Sequence, residues 1–426
     1  MKQDRPAVLL VDPVRNGAGY KAAARELGFA VVSVYTLGFS TDTPGHDKGD
    51  DISLHLSDPA EVVRALTELG VDIKAVVPAM EAGAHRAAEI AHLLALPCND
   101  PLLAFARRNK AAMRARAQET GLPIPRFRLV HTLDESATAS REIGFPVIVK
   151  PTMGAGAQGV TLLSDPAALD RLAQLETHDV YQQPIAERLV EQYVRGREFS
   201  VNFFSSHGEH RIIDMWEYRQ PDDRDYDFPI WDNVQIDESH PDWERVEAYV
   251  RQVLDAFGIE HGPSHTEVKA TADGVYLMEI GPRLPGGPAV RMWAQHSKVR
   301  AYRDAIICYL GERPAIMDEP LDFRVRYGAM AIHNEEAPGT LVAIHGIEDL
   351  EGRPGIDDIL VGFRPGDHVP VTRHQDDIPF GVVVSGATEA DVLRTMGLIR
   401  SLVTLEIAPD HPAQTRAIPA GANETP

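Results

Sequence analysis

The chain has 426 residues, with 44% hydrophobic and 25% charged side chains, an ordinary globular balance with room for about two to four structural units. Its formal net charge of −21 argues against nucleic acid and anionic membranes as partners, so any anion site has to be a local basic pocket. Its two cysteines, Cys98 and Cys308, form no metal-ligand or redox spacing and read as small buried apolar residues. The apolar run after Arg5 is too short for a secretory leader, and no long apolar stretch follows, so a cytoplasmic location is expected.

In chain order, Ala7 to Val11 predicts a buried strand, followed by a loop from Asp12 to Gly19 and a helix through Leu27. A strand at Phe29–Tyr35, a helix at Glu61–Leu69, a strand at Ala75–Val77 and a helix at Gly83–Leu94 come next. Alternating strands and helices imply a doubly wound parallel sheet, ending near residue 100. A helix is expected from Ala104 to Gly121, a strand at Phe145–Lys150, a Gly-rich loop at 154–159, a strand at Val160–Leu163 and a helix at Asp165–Gln174. Strands dominate from Leu189 to Phe204. The acidic and aromatic stretch 217–243, with Tyr218, Tyr226, Phe228, Trp231 and Trp243, reads as a long loop of the kind that serves as a lid or stays disordered. A helix over 241–257 leads into a hairpin. Beyond Gly311, strands at Asp322–Ala331, Thr340–Ile344, Ile359–Phe363 and Phe380–Ser385, a helix at 388–401 and a strand at 402–407 suggest a small α+β cap, with a frayed tail from Pro409.

The hairpin carries the sharpest signal. Asp273-Gly274 marks its turn, and a three-residue loop from Ala272 to Gly274 would put Gly274 in the left-handed region and Glu267 directly opposite Glu279. Carboxylates facing each other at roughly 5 Å between Cβ atoms repel, and a divalent cation between them relieves this. A solvated pair on an exposed face is an equal reading, and a two-residue loop would send the two side chains to opposite faces. His265 shares a strand face with Glu267. It is either a satisfied structural histidine or a contact to substrate or phosphate.

Other elements carry less alone. Lys150 ends an apolar strand and is followed by Gly154, Gly156 and Gly159, a loop whose backbone N–H groups can approach phosphate while lysine supplies charge. A flexible hairpin explains it too. Glu191 and Glu198 form a second pair of acids, which surface salt bridges would also explain. Glu81 follows a parallel strand, where α/β sheets bind ligands, though a charge at a helix start explains it equally.

The order Lys110, Lys150, Gly loop, Glu191, Glu198, Glu267, Glu279 and Arg283 resembles that of ATP-grasp enzymes from about residue 5 to 405. The resemblance implies a mixed α/β and α+β ATP-grasp fold: a doubly wound pre-grasp domain (1–100), a linker helix and small lobe (101–188), a large lobe with the metal hairpin (189–312), a C-terminal α+β cap (313–408) and a tail (409–426). It implies ATP as cofactor, with Lys110 and Lys150 on the phosphates and Glu191 accepting from the adenine amino group. The backbone near Val194 would read the ring and Glu198 would hold the ribose. Glu267 and Glu279 would hold one or two Mg²⁺, or Mn²⁺. Many relatives carry Asn where this chain has Gly281, so a third ligand is missing and either water or phosphate replaces it. Within the superfamily the chain is most like the L-amino acid ligase group, on Leu9–Pro13 with Gly17–Gly19, Val77–Gly83, Arg108–Lys110, His265–Glu267 and Glu279–Gly287. That similarity implies a ligase joining a carboxylate to the amine of an amino acid or small amine through an acyl phosphate. Arg283 would stabilise the oxyanion, Gly286 and Gly287 would face a substrate carboxylate, and Glu81 or Glu217 would grip an ammonium. Its partners would be small molecules, with a homodimer as the expected assembly. A phosphotransferase and a catalytically silent nucleotide-binding regulator are the alternatives.

Overall fold

The computed structural model describes residues 5–38, 43–154, 156–178, 184–220 and 231–410. The acidic run Asp222–Asp227, and with it the expected lid, lies outside the described residues.

The first sheet is built from β1 (Ala7–Val11), β2 (Ala30–Val34), β3 (Ile52–Leu54) and β4 (Ile73–Pro78), all parallel, in the order β3-β2-β1-β4. Every residue of β1 is buried, as befits a strand covered on both faces. The helices between the strands are α1 (Gly19–Glu26), α2 (Pro59–Leu69) and α3 (Ala84–Leu93). The chain winds one way from β1 and then returns to its other side as β4, so the crevice beyond the ends of β1 and β4 is a topological switch point. The short strand β3 was not anticipated, being three residues long with a partly exposed pattern.

The expected helix from Ala104 splits. A 3-10 turn covers Pro101–Leu103, and α4 spans only Lys110–Glu119. Asn109 caps it, its side chain accepting from the N–H groups of Ala111 and Ala112 at 3.0 Å. Next come β5 (Phe127–Val130), α5 (Leu133–Ile143), β6 (Val147–Pro151), β7 (Thr161–Leu163) and β8 (Arg188–Gln192). They form an antiparallel sheet in the order β5-β8-β6-β7, with α5 over its apolar face. The segment expected as a helix at 165–174 is a 3-10 helix, Pro166–Gln174.

The largest sheet begins with β9 (Arg197–Ser206), β10 (Glu209–Arg219) and β11 (Asp232–Ile236). The region read as one long loop is therefore partly strand: Glu217–Arg219 end β10, and β11 pairs back on it. α6 (Trp243–Ala256) packs Val246, Val250 and Leu254 against Phe199, Val201 and Phe203 of β9. The hairpin is β12 (His261–Ala270) and β13 (Val275–Gly281). α7 (Ala289–His296) and α8 (Ala301–Tyr309) follow, and their Trp293, Ile306 and Tyr309 share one core with Val8 and Val77 of the first sheet.

The last segment supplies β14 (Arg326–Ile332), β15 (Gly339–His345), β16 (Ile356–Val361), β17 (His368–Val369), β18 (Phe380–Gly386), α9 (Glu389–Leu402) and β19 (Thr404–Pro409). Three of these strands continue the large sheet, whose order is β13-β12-β9-β10-β11-β14-β18-β16. β15, β17 and β19 form a small sheet of their own. No helix among the described residues is long and apolar enough to cross a membrane.

Candidate active site

A cleft of roughly 690 Å³ runs between the four-stranded antiparallel sheet, the hairpin, the loop after β4 and strands β14, β16 and β18. Glu267 and Glu279 face each other across the hairpin, but not for the reason the sequence suggested. Pairing next to the turn runs Ala270 to Val275 and Val268 to Leu277, which leaves a four-residue turn, Thr271–Gly274. Gly274 is not in the left-handed region. That register alone would turn the two glutamates to opposite faces. A bulge at Met278 shifts the register by one, and Glu267 then meets Glu279. Arg114 Nη2 donates to the Met278 carbonyl at 2.8 Å and so fixes the bulge.

The opposite wall is basic. Lys110, the first residue of α4, places Nζ 3.0 Å from Glu279 Oε1. Arg108 Nη1 donates to the Gly154 carbonyl at 3.0 Å, tying the Gly loop to α4. One turn along α4, Arg114 pairs with Glu191, and Lys150 from β6 pairs with the same carboxylate. Each Glu191 oxygen thus already accepts from one buried cation. Burial alone would raise the Glu191 carboxyl, but Arg114 and Lys150 outweigh it and hold it down at about 2. The lysine moves down as well, because burial and repulsion from Arg114 outweigh its share of Glu191. Two buried cations share one anion, and a net positive charge remains.

Glu198 at the start of β9 is 3.2 Å from Lys269. Burial raises its carboxyl, with Glu267 adding to the effect against Lys269. His265, Glu267 and Lys269 alternate along β12 and all reach the cleft. Behind His265 lies a polar chain. Buried Asp214 accepts from Asn202 Nδ2 at 2.6 Å, Trp216 Nε1 at 2.8 Å and Trp293 Nε1 at 2.7 Å. The carboxylate fixes the Asn202 amide, so Asn202 Oδ1 faces His265 Nδ1 at 2.8 Å and must accept its proton. Nε2 then faces Glu267 Oε1 at 3.5 Å, where a second proton or a shared cation completes the contact. One nitrogen of His265 is thus structural, and the other faces the cleft.

At the far end, Arg283 Nε donates to Glu81 Oε2 at 2.5 Å and Nη1 to the Leu284 carbonyl at 3.0 Å. Burial opposes the guanidinium charge, but Glu81 and then Glu279 outweigh it and raise its pKa. A Cβ built on Gly281 would sit 2.7 Å from Glu81 Oε2. The absent side chain is thus the space that lets Glu81 reach Arg283. Close to the Glu81 loop, buried Asp12 accepts from Thr36 N and Oγ1 at 2.7 Å each. Gly83 passes so close that a Cβ there would lie 2.4 Å from Asp12 Oδ2. One buried carboxylate thereby stitches together the loops after β1, β2 and β4.

Gly154, Gly156, Val194, Gly286 and Gly287 also line the cleft. Gly159 does not: it packs on Pro151, where an added Cβ would meet Cγ at 2.9 Å. Glu217 lies on a small neighbouring recess, with Oε2 held by Arg219 Nε at 2.6 Å, and Arg219 continues to Glu389 of α9 at 2.7 Å. Glu217 does not line the main cleft itself. Sequence reasoning missed Arg108, Arg114, Lys269, Asn202 and Asp214. The helical spacing of Lys110 and Arg114, and the alternation ending at Lys269, were the available signals.

An ATP-grasp domain matches residues 143–291, and an L-amino acid ligase C-terminal domain 2 matches residues 336–408. The chain contains an ATP-grasp domain. Its relatives include L-amino acid ligases. It is 23% identical over 312 residues to the L-arginine-specific L-amino acid ligase of Bacillus subtilis, covering 71% of this chain and 73% of that one. It is 29% identical over 212 residues to the dapdiamide A synthase of Enterobacter agglomerans, covering 48% and 50%. The crystal structure of an L-amino acid ligase from Bacillus licheniformis superposes with a TM-score of 0.74 at 18% identity, covering 96% of this chain and all of that one. At that identity the likeness bears on the fold.

Proposed function

We propose that this ATP-grasp protein is an ATP-dependent carboxylate–amine ligase. One observation carries the reading: two facing glutamates, a buried basic cluster with surplus charge and an anchored arginine share one cleft. ATP is the nucleotide, its triphosphate set against Lys150, Lys110 and the backbone of Gly154 and Gly156. The net positive charge around Glu191 is what the phosphates neutralise, and Glu191 serves by holding Lys150 rather than by reading adenine. Val194 lies where the base would stack, and Glu198 where the ribose would sit.

A divalent cation fits the hairpin. Among the described residues, Glu279 is ion-paired with Lys110 at 3.0 Å, while Glu267 meets Tyr218 and His265 at 3.5 Å. Mg²⁺ or Mn²⁺, as one or two ions, would be held by Glu267 and Glu279 and would supply charge neutralisation for the transferring phosphoryl group. Gly281 offers no further ligand.

A substrate carboxylate oxygen attacks the γ-phosphorus, and the bond to the β,γ-bridging oxygen breaks, giving ADP and an acyl phosphate. Lys150 and Lys110 offset the charge spreading over the transferring group. An amine then attacks the acyl carbon, the carbon–oxygen bond breaks, and phosphate leaves with its electron pair while the proton lost from the amine nitrogen passes to it or to solvent. Arg283, held rigidly by Glu81, stabilises the oxyanion formed on the way. Free ADP and phosphate accompany an amide, with an amino acid as the acyl donor and an amino acid or small amine as acceptor. A phosphate-release screen over amino acid and amine pairs, with mass detection of products, tests this. Phosphate release that depends on both substrates, with a product lighter than their sum by one water, is expected. ATP consumption without free phosphate would replace the ligase by a phosphotransferase.

A further inference from the structure

We propose that His46, Asp47 and His55 form a transition-metal site, best suited to Zn²⁺, at the C-terminal end of the first sheet and outside the catalytic cleft. Among the described residues, this is where three potential metal-ligating side chains converge, with one donor atom from each within 4.8 Å of the others. His46 Nδ1 lies 3.1 Å from Asp47 Oδ2, and His55 Nε2 lies 3.2 Å from Asp47 Oδ1. Donors around a tetrahedral zinc with bonds near 2.1 Å are roughly 3.4 Å apart, so three donor atoms all within 4.8 Å of one another would draw together around the ion.

A second observation points to a ligand. The His46 side chain is 4% exposed, yet its Nδ1 makes no hydrogen bond among the described residues. The carboxylate is near enough but misaligned, which suits two donors aimed at a common point better than one bonding the other. A buried ring nitrogen without a partner is a group that a metal would satisfy. Packing holds the rings in place: Tyr35 lies 4.4 Å from the His46 ring and stacks on the His55 ring at 5.2 Å. Asp47 adopts a left-handed φ of 53°, and its N–H donates to the Tyr35 hydroxyl at 2.8 Å. The nearby cation, Lys21, is already balanced by Asp50 at 2.8 Å. The cluster therefore keeps the single negative charge of Asp47.

Two imidazoles and a carboxylate favour Zn²⁺ and its transition-metal neighbours over Mg²⁺ or Ca²⁺, which prefer all-oxygen shells. Three protein ligands leave a fourth position for water. The ion would tie the segment around His46 to the end of β3 and so brace the rim of the switch-point crevice.

The test uses the full chain, stripped with chelator, given one equivalent of Zn²⁺, dialysed and analysed for metal by mass spectrometry. Glu279→Gln serves as a control for the hairpin acids. About one Zn²⁺ per chain is expected in the parent and in Glu279→Gln. Binding should be at least ~10-fold weaker in His55→Ala and in Asp47→Asn, both at partly exposed positions. Zn²⁺ should also raise the thermal midpoint of the parent but not of these two variants. Co²⁺ should give a tetrahedral visible spectrum in the parent alone. Zinc-free parent protein, or equal zinc retention in His55→Ala and Asp47→Asn, would overturn the proposal.

Discussion

Glu191→Gln isolates the buried charge cluster behind the phosphate site. The carboxyl is held at about 2 instead of 4.5, with Arg114 and Lys150 outweighing burial. At 1.36 kcal/mol per pH unit, that depression stabilises the folded chain by about 3 kcal/mol at pH 7. The sign follows from a carboxyl whose folded pKa lies below its unfolded one. The contribution is full above the unfolded value and fades as the pH falls through the folded one. The parent's advantage over Glu191→Gln should therefore be about 3 kcal/mol at pH 7 and about 1 kcal/mol smaller by pH 4. Urea unfolding at both pH values, followed by far-ultraviolet circular dichroism and tryptophan fluorescence, measures this where the two probes coincide. A difference under ~0.5 kcal/mol at pH 7, or one that does not change with pH, would refute the idea that Glu191 is a stabilising counter-ion.

Glu279→Gln should abolish ADP formation with the circular dichroism spectrum unchanged, because a charge that would hold the divalent ion is lost; most activity retained at saturating Mg²⁺ would remove the metal assignment. Arg283→Lys should lower the amide-forming rate at least ~100-fold, since lysine keeps the charge but loses the planar fork, while ATP affinity by calorimetry stays constant. Gly281→Ala puts a Cβ 2.7 Å from Glu81 Oε2, so the carboxylate has to shift against Arg283. Turnover should fall by roughly 100-fold with little change in ATP affinity, and unchanged turnover would mean the Glu81–Arg283 contact is not needed.

The hairpin shows what the sequence could and could not tell. Strand formers on both arms and Asp273-Gly274 announced it, and Glu267 does face Glu279. Yet the turn is longer than expected, and the bulge at Met278 restores the pairing; no local residue preference marks that bulge, which a distant arginine holds. Lys150 and its Gly loop were legible because a strand followed by small residues is a local pattern. Arg114 was passed over: its one-turn spacing from Lys110 puts it on the same helix face, but that spacing alone does not separate a buried arginine from the solvated ones around it. The helix at α4 was read too long because Asn109 was passed over as a cap. β5 and α5 escaped notice although Thr132 caps α5 by accepting from Glu135 N at 3.1 Å, a signal the sequence does contain. Glu217 was the reverse case: its neighbour two residues on, Arg219, already takes its charge.

The large sheet has a consequence for anyone recombining such enzymes. It runs without a break from the glutamate hairpin at one edge to β16 at the other, crossing from β11 into β14. Residues Asp232 to Val234 pair there with Gly328 to Met330. A chimera that takes its last hundred residues from a homologue would have to reproduce that backbone register, strand against strand. Matching a surface would not be enough. Deleting the segment would strip one side of β11 and bare its N–H and C=O groups, a sticky template for other chains. The C-terminal portion is therefore inherited with the catalytic sheet as one continuous fabric, and substrate preference is best retuned from loops and side chains rather than by exchanging modules.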